Sequence, residues 1–259
     1  MTKQIMQLQF VEFGEGPSLV VLDPFFRKEQ SLRYYKKLFT GYHVRIIEVA
    51  PFYWDEAQLS YQSILASIEH WLLNHVKVEK VHLVTMGLSV KMAFDLAQHC
   101  SNCFDSMTLL EPLILSRETA YSPLMRKFVK IKTLRDLVAF FKTQHGIMFF
   151  KKAYYWARGF RIKDHFLTGT HFLDIGKLVY RLKNIYQMED LPFQVSMYKR
   201  FKVVVIHTHS SPWMLKENVA NICEILGATQ VSISDKALFD ATGVGKILKT
   251  YIRPKVKAA

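Results

Sequence analysis

The sequence predicts an α/β fold: a central, mostly parallel sheet flanked by helices, with one helical segment inserted into it. Three observations carry that expectation. Short β-branched runs alternate with longer amphipathic stretches along most of the 259 residues, which is the pattern of repeated βαβ units. The runs are almost continuously apolar, as in Ser18-Leu19-Val20-Val21-Leu22, and such runs suit strands covered on both faces. The alternation then stops after Glu111-Pro112 and resumes only at Phe201. With 50% hydrophobic residues the chain can fill one sizeable core.

Each element has a local reason. An opening strand, near Met6 to Phe13, meets Gly14-Glu15-Gly16-Pro17, a turn by composition. The buried-type run Ser18 to Leu22 follows, and strands joined so closely are expected to run antiparallel. A helix around Glu29 to Phe39 ends at Gly41, suited to a helix C-cap, before the strand Val44-Arg45-Ile46-Ile47-Glu48-Val49. From about Ala57 to His75 a long helix places Leu59, Ile64, Ile68, Trp71 and Leu72 near one face. A strand from Lys80 to Val84, a helix after Gly87 and a strand from Ser106 to Leu110 complete the first part.

Beyond the interruption come a strand from Phe201 to Ile206, a helix near Lys216 to Leu226, a strand from Gln230 to Ile233 and a last helix near Gly243 to Tyr251. The sheet domain is therefore expected to comprise residues 1–115 and 191–259. Residues 116–190, rich in helix formers and aromatics, form the insertion.

Composition narrows the function classes. The start, Met1-Thr2-Lys3-Gln4-Ile5, has no apolar run of signal-peptide length, and no stretch reaches the roughly 18 apolar residues of a membrane span, so the cytoplasm is the expected location. Cys100 and Cys103 form a C-x-x-C at the C-terminal end of a helix, where the helix dipole disfavours a thiolate. Inert, partly buried thiols are expected. Without a second C-x-x-C no zinc site is expected, and the sequence implies no cofactor.

The net charge of +13 is unevenly spread: residues 116–190 hold 15 Lys and Arg against 6 Asp and Glu, leaving 20 against 16 elsewhere.

Several phrases, in order, carry a family likeness. His82-Leu83-Val84-Thr85-Met86-Gly87-Leu88-Ser89 followed by Ala93-Phe94-Asp95-Leu96-Ala97 reads as a strand, a sharp turn and a helix. Gly14-Glu15-Gly16-Pro17 precedes an apolar strand, and Val205-Ile206-His207 is followed by Pro212. Together these resemble the α/β-hydrolase superfamily of the cap-bearing type, over nearly the whole chain. The resemblance implies that fold, with residues 116–190 as a helical cap.

It also implies where hydrolytic groups would sit, and each position is altered. The nucleophile of the G-x-S-x-G turn falls on Gly87, which has no side chain. The acid after the late strand falls on Ser211, which cannot stabilise an imidazolium as a carboxylate does, and the histidine position is best matched by Leu238. The oxyanion turn, usually His-Gly, is Asp23-Pro24: proline has no N–H, and a carboxylate repels a developing oxyanion. A D-x-x-G-x-G turn of many relatives reads Glu48-Val49-Ala50-Pro51-Phe52-Tyr53, with bulk in place of glycine.

These losses make a pseudohydrolase the expected function, a binding or scaffolding protein for a small ligand or a protein partner. Its pocket floor would lie near Asp23, Met86, Gly87, Ser211 and Leu238, with Trp213 and cap aromatics nearby, and would take a small, mainly apolar ligand with a donor for Asp23. The alternative is an esterase-like hydrolase or a lyase with a rearranged site, in which Ser89 is the nucleophile, His209 the base and Asp23 the orienting acid. Against it, Ser89 is expected in the first turn of a helix with its Oγ turned away from the site. Thr85 is expected to bond to the turn. His207 and His209 share one face of a strand, but no carboxylate or cysteine nearby in sequence completes a metal shell, so a satisfied core His207 and a surface or pocket His209 are expected.

A third reading rests on the basic insertion, where Leu124 to Leu137 and Phe149 to Trp156 interleave cations with apolar and aromatic residues. Aromatics packed on the sheet beneath solvated lysines explain most of this. An acidic protein such as acyl carrier protein, or an anionic membrane, would suit the outer surface. Nucleic acid is disfavoured because no recognised motif or aromatic platform is present.

Overall fold

A computed structural model describes residues 8, 10–23, 28–47, 61–75, 80–87, 89–112, 136, 139, 142–143, 201–209, 216–234 and 241–252, without the side chains of 28–31, 216–218 and 221–222. Seven strands form one sheet: β1 (Phe10–Phe13), β2 (Ser18–Leu22), β3 (His43–Ile47), β4 (Val81–Met86), β5 (Phe104–Leu110), β6 (Lys202–Thr208) and β7 (Thr229–Ile233). Their order across the sheet is β1-β3-β2-β4-β5-β6-β7. Only β1 is antiparallel to its neighbour. The helices are α1 (Lys28–Leu38), α2 (Tyr61–His75), α3 (Ser89–Cys100), α4 (Lys216–Leu226) and α5 (Ala241–Tyr251).

Strand periodicity sorts the sheet into two faces. Leu19, Val21, Val44, Ile46, Val84, Val204 and Ile206 join one apolar cluster with Tyr35 and Leu38 of α1, Phe39 just past it, and Val244 and Leu248 of α5. The intervening strand residues point the other way, and α3 packs against β4 and β5. Ile64, Ile68, Trp71 and Leu72 of α2 are buried as their spacing predicts; Leu59 lies outside the described residues. Tyr61 donates to Asp95, linking α2 to α3.

Two expectations need correction. β1 and β2 do run in opposite directions, yet they are not neighbours, because β3 lies between them. The reason is the Gly14–Pro17 turn, which presses on the connection from α1 to β3: a Cβ on Gly14 would collide with Tyr42 O, and one on Gly16 would come 2.5 Å from Gly41 O. Glycine there lets the turn pass over the start of β3 instead of closing a hairpin. Second, β4 continues to Met86, which pairs with Leu110. Thr85 is thus an interior strand residue, and its buried Oγ1 has no hydrogen-bond partner instead of the expected bond to the turn.

The cap assigned to residues 116–190 lies outside the described residues except for Asp136, Ala139, Lys142 and Thr143.

Burial holds the cysteine thiols protonated. Cys100 is buried at the end of α3 and donates to Leu96 O at 3.0 Å; burial, with Cys103 and Glu69 adding to it, pushes its thiol up to about 12. Burial raises Cys103 and takes Cys223 to about 11. An unfolded thiol titrates near ~8.5, so the folded pKa is the higher one. The resulting stabilisation is complete below the unfolded value and is lost as pH climbs through the folded one. Stability is therefore expected to decline through the alkaline range. At pH 8 a thiol-reactive disulfide should label at most Cys103 rapidly in the native protein and all three cysteines in denaturant; prompt native labelling of Cys100 would contradict the burial.

Candidate functional site

Ligands of parallel α/β sheets bind outside the carboxyl ends of the strands, and here that edge brings four segments side by side. Register places Leu22 beside Thr85, Met86 beside Leu110 and Leu110 beside Ile206. Asp23, Gly87, Glu111 and His209 therefore follow β2, β4, β5 and β6 along one rim.

Gly87 is the apex between β4 and α3. Its φ of 52° is left-handed, the backbone a glycine adopts without a Cβ penalty. Its N–H donates to Leu110 O at 3.2 Å, and its carbonyl accepts from Val90 N–H at 3.4 Å. Two backbone hydrogen bonds thus hold the turn. Ser89, two residues past the apex, opens α3 with 0% exposure, so its hydroxyl is enclosed in the protein.

Asp23 is 6% exposed and accepts a hydrogen bond from the Tyr35 hydroxyl. That hydroxyl also lies 2.9 Å from Met86 Sδ. Burial first, and the Asp23 charge second, raise the phenol well above its usual value, so Tyr35 stays protonated and acts as a donor. Asp23, just past β2, and Met86, at the end of β4, are thereby joined through α1. Sequence reading missed Tyr35: at its position it is one more apolar-face residue beside Leu38 and Phe39.

Glu111 was also missed as a site residue, having marked only the end of the alternating pattern. It has 0% exposure and a φ of 44°, which is uncommon for a side chain with a Cβ. Its N–H donates to Ile206 O at 2.8 Å, and its carboxyl accepts the Thr208 N–H. The side chain thus carries the β5–β6 pairing one step past the end of β5. Pro112 gave no signal of this, since a following proline favours extended backbone with negative φ.

His207 is buried, with Nδ1 3.0 Å from Thr208 O and Nε2 2.8 Å from the Gln230 amide nitrogen. Gln230 donates to Nε2, which assigns the proton to Nδ1. His209 is exposed, its Nδ1 2.9 Å from Ser232 Oγ on β7. Among the described residues no three His, Cys, Asp or Glu side chains gather as a metal-holding group.

The structure brings Asp23 and Met86 together, with Gly87 next along the turn. It does not bring Ser89, His209 and Asp23 together. Asp23 follows β2 and His209 follows β6, with β4 and β5 between them, a span of about 14 Å at the usual strand spacing. Ser211, Trp213 and Leu238 lie outside the described residues, as do Pro24 and residues 48–53.

Chemically this edge is rich in acceptors. A carboxylate about 4 Å from a developing oxyanion opposes it by about 4 kcal/mol at an effective dielectric near 20, whereas a ligand's N–H or O–H would be drawn to the same place.

No protein-family model matches the sequence, nor does any curated protein. Solved structures do match. The thioesterase domain from the curacin biosynthetic pathway is 14% identical, with 95% of this chain and 100% of that one covered and a TM-score of 0.58. A bromoperoxidase from Bacillus anthracis is 12% identical, with 95% of each chain covered and a TM-score of 0.59. The N-formylmaleamic acid deformylase of Pseudomonas putida S16 is 10% identical, with 93% and 94% covered and a TM-score of 0.58. All share one architecture, and this chain has it: the α/β-hydrolase fold.

Proposed function

We propose that this α/β-hydrolase-fold chain holds a small, mainly apolar ligand at the carboxyl edge of its sheet and does not cleave it. One observation supports the reading: the buried Asp23, which the resemblance aligns with the oxyanion turn, carries a carboxyl that accepts from Tyr35, whose hydroxyl also lies beside Met86. Preorganised donors are a large part of acyl-transfer catalysis, and this arrangement reverses their sign. The bare apex at Gly87 supports the same reading, since no side chain there can attack a carbonyl. A ligand with a hydroxyl or amine would share Asp23 with Tyr35, while its apolar body displaces water along the edge.

The test joins two measurements. A fluorophosphonate probe should leave the protein unlabelled and p-nitrophenyl acetate should be hydrolysed at the spontaneous rate, while some members of a metabolite library raise the melting temperature. Labelling at Ser89, with turnover that disappears in Ser89→Ala, would establish the rearranged hydrolase instead. Restoring the missing atom is not expected to restore chemistry. Gly87→Ser should remain at background on the same ester, because Asp23 still faces the oxyanion position, and should cost about 1–2 kcal/mol for a left-handed residue with a Cβ. Turnover a hundredfold above background in Gly87→Ser would show that the remaining machinery is intact.

A further inference from the structure

We propose that the outward faces of α1 and α5 form an electrostatic landing surface for an anionic membrane. The inference does not depend on the pocket. Every charged side chain described on these two helices is cationic and exposed: Arg33, Lys36 and Lys37 on α1, Lys246 and Lys249 on α5. Lys28 and Glu29, opposite in sign, begin α1 outside the described side chains.

The fold itself gathers these charges. Gly245 of α5 lies against the α1 backbone so closely that a Cβ would stand 2.6 Å from Leu38 O, and Lys249 Nζ reaches within 3.7 Å of a Cβ placed on Gly41, just past the end of α1. Lys36 and Lys37 occupy the last turn of α1, four to five residues before Gly41 in the chain. Ion pairs between described residues form elsewhere: Glu12 with His43 and Arg45, Lys91 with Asp95, His99 with Glu69. Protein surfaces ordinarily intersperse the two signs, and an unmixed face pays for its self-repulsion unless an anionic partner covers it.

The chemistry of the face favours a bilayer over other anions. Four of the five cations are lysines, flexible point charges without the planar fork that reads a fixed phosphate or carboxylate. Headgroups that diffuse laterally can gather beneath any arrangement of amines, whereas an acidic protein or a duplex must match it. Among the described residues the exposed large apolar side chains are Phe10, Leu73 and Ile225, none of them on α1 or α5, so contact would be electrostatic, without insertion. The sequence after Ile252, Arg253-Pro254-Lys255-Val256-Lys257, adds three cations and no acid at the end of α5.

Vesicle sedimentation tests this with the full-length protein. Vesicles of phosphatidylcholine with 30% phosphatidylserine should retain it and pure phosphatidylcholine should not, with retention falling at least tenfold as salt rises from about 50 to 200 mM. Replacing Lys36, Lys37, Lys246 and Lys249 together by glutamine removes charge without opposing the helix dipoles, and should weaken partitioning about a hundredfold or more. Its melting curve checks that it folds. A matched variant, Arg126, Lys127, Lys130 and Lys132 to glutamine, should retain binding within a few-fold. The proposal is overturned by equal retention on both vesicle types, by loss only in the second variant, or by capture of acyl carrier protein or duplex DNA without capture of anionic vesicles.

Discussion

Tyr35→Phe is expected to destabilise the protein by about 2–3 kcal/mol, because it removes the hydroxyl that donates to a buried carboxyl while leaving the carboxyl in place. At this chain length that is a fall in melting temperature of about 5–10 °C. The loss should come from the hydrogen bond removed from a buried carboxyl and not from missing bulk, since the ring, stacked on Phe39 with centroids 5.7 Å apart, survives the substitution. A double-mutant cycle separates the two. Asp23→Asn in the Tyr35→Phe background should recover part of the loss, giving a coupling above about 1 kcal/mol. Urea denaturation that finds Tyr35→Phe within about 0.5 kcal/mol of wild type would mean that Asp23 does not rely on the Tyr35 hydroxyl, and with it the argument for a donor-seeking site would fail.

Gly245→Ala should destabilise by about 2–3 kcal/mol, against what helix propensity alone predicts. In an exposed helix interior the change gains about 1 kcal/mol. At this position the new methyl meets Leu38 O at 2.6 Å and Leu38 C at 3.4 Å. Both atoms are backbone, so no rotamer relieves the clash and the two helices must separate. Gly227 provides the contrast: its φ is 60° and nothing lies within 4 Å of a Cβ there, so Gly227→Ala should cost only the left-handed penalty of about 1–2 kcal/mol. A stabilising Gly245→Ala would show that α1 and α5 approach less closely than described, and would spread apart the cations the two helices carry.

Most strands were legible because each is a local pattern. Ser18 to Leu22 and the helix at Lys216 to Leu226 fall where the residues place them. Gly87 was legible for the same reason: the absence of a side chain at a strand–helix turn is read from one position. The end of β4 was harder to place. Thr85 and Met86 resemble the beginning of a turn until β5 supplies Leu109 and Leu110 as partners. Neither Tyr35 nor Glu111 could be recognised as part of the site from its own surroundings in sequence. Tyr35 reaches Asp23 across 12 residues, and Glu111 reaches Thr208 across 97.

By itself the sequence determined the alternation of strands and helices, the mostly parallel sheet and a glycine at the turn between β4 and α3, since hydrophobic period and a missing side chain are properties of adjacent residues. Tertiary structure decided that β3 separates β1 from β2, that Tyr35 fastens Asp23 to the elbow, and that two cationic helix faces lie side by side. These outcomes depend on contacts between segments distant in the chain. Such contacts are selected by which surfaces pack without clash or unsatisfied polar groups, and not by any residue's own preference.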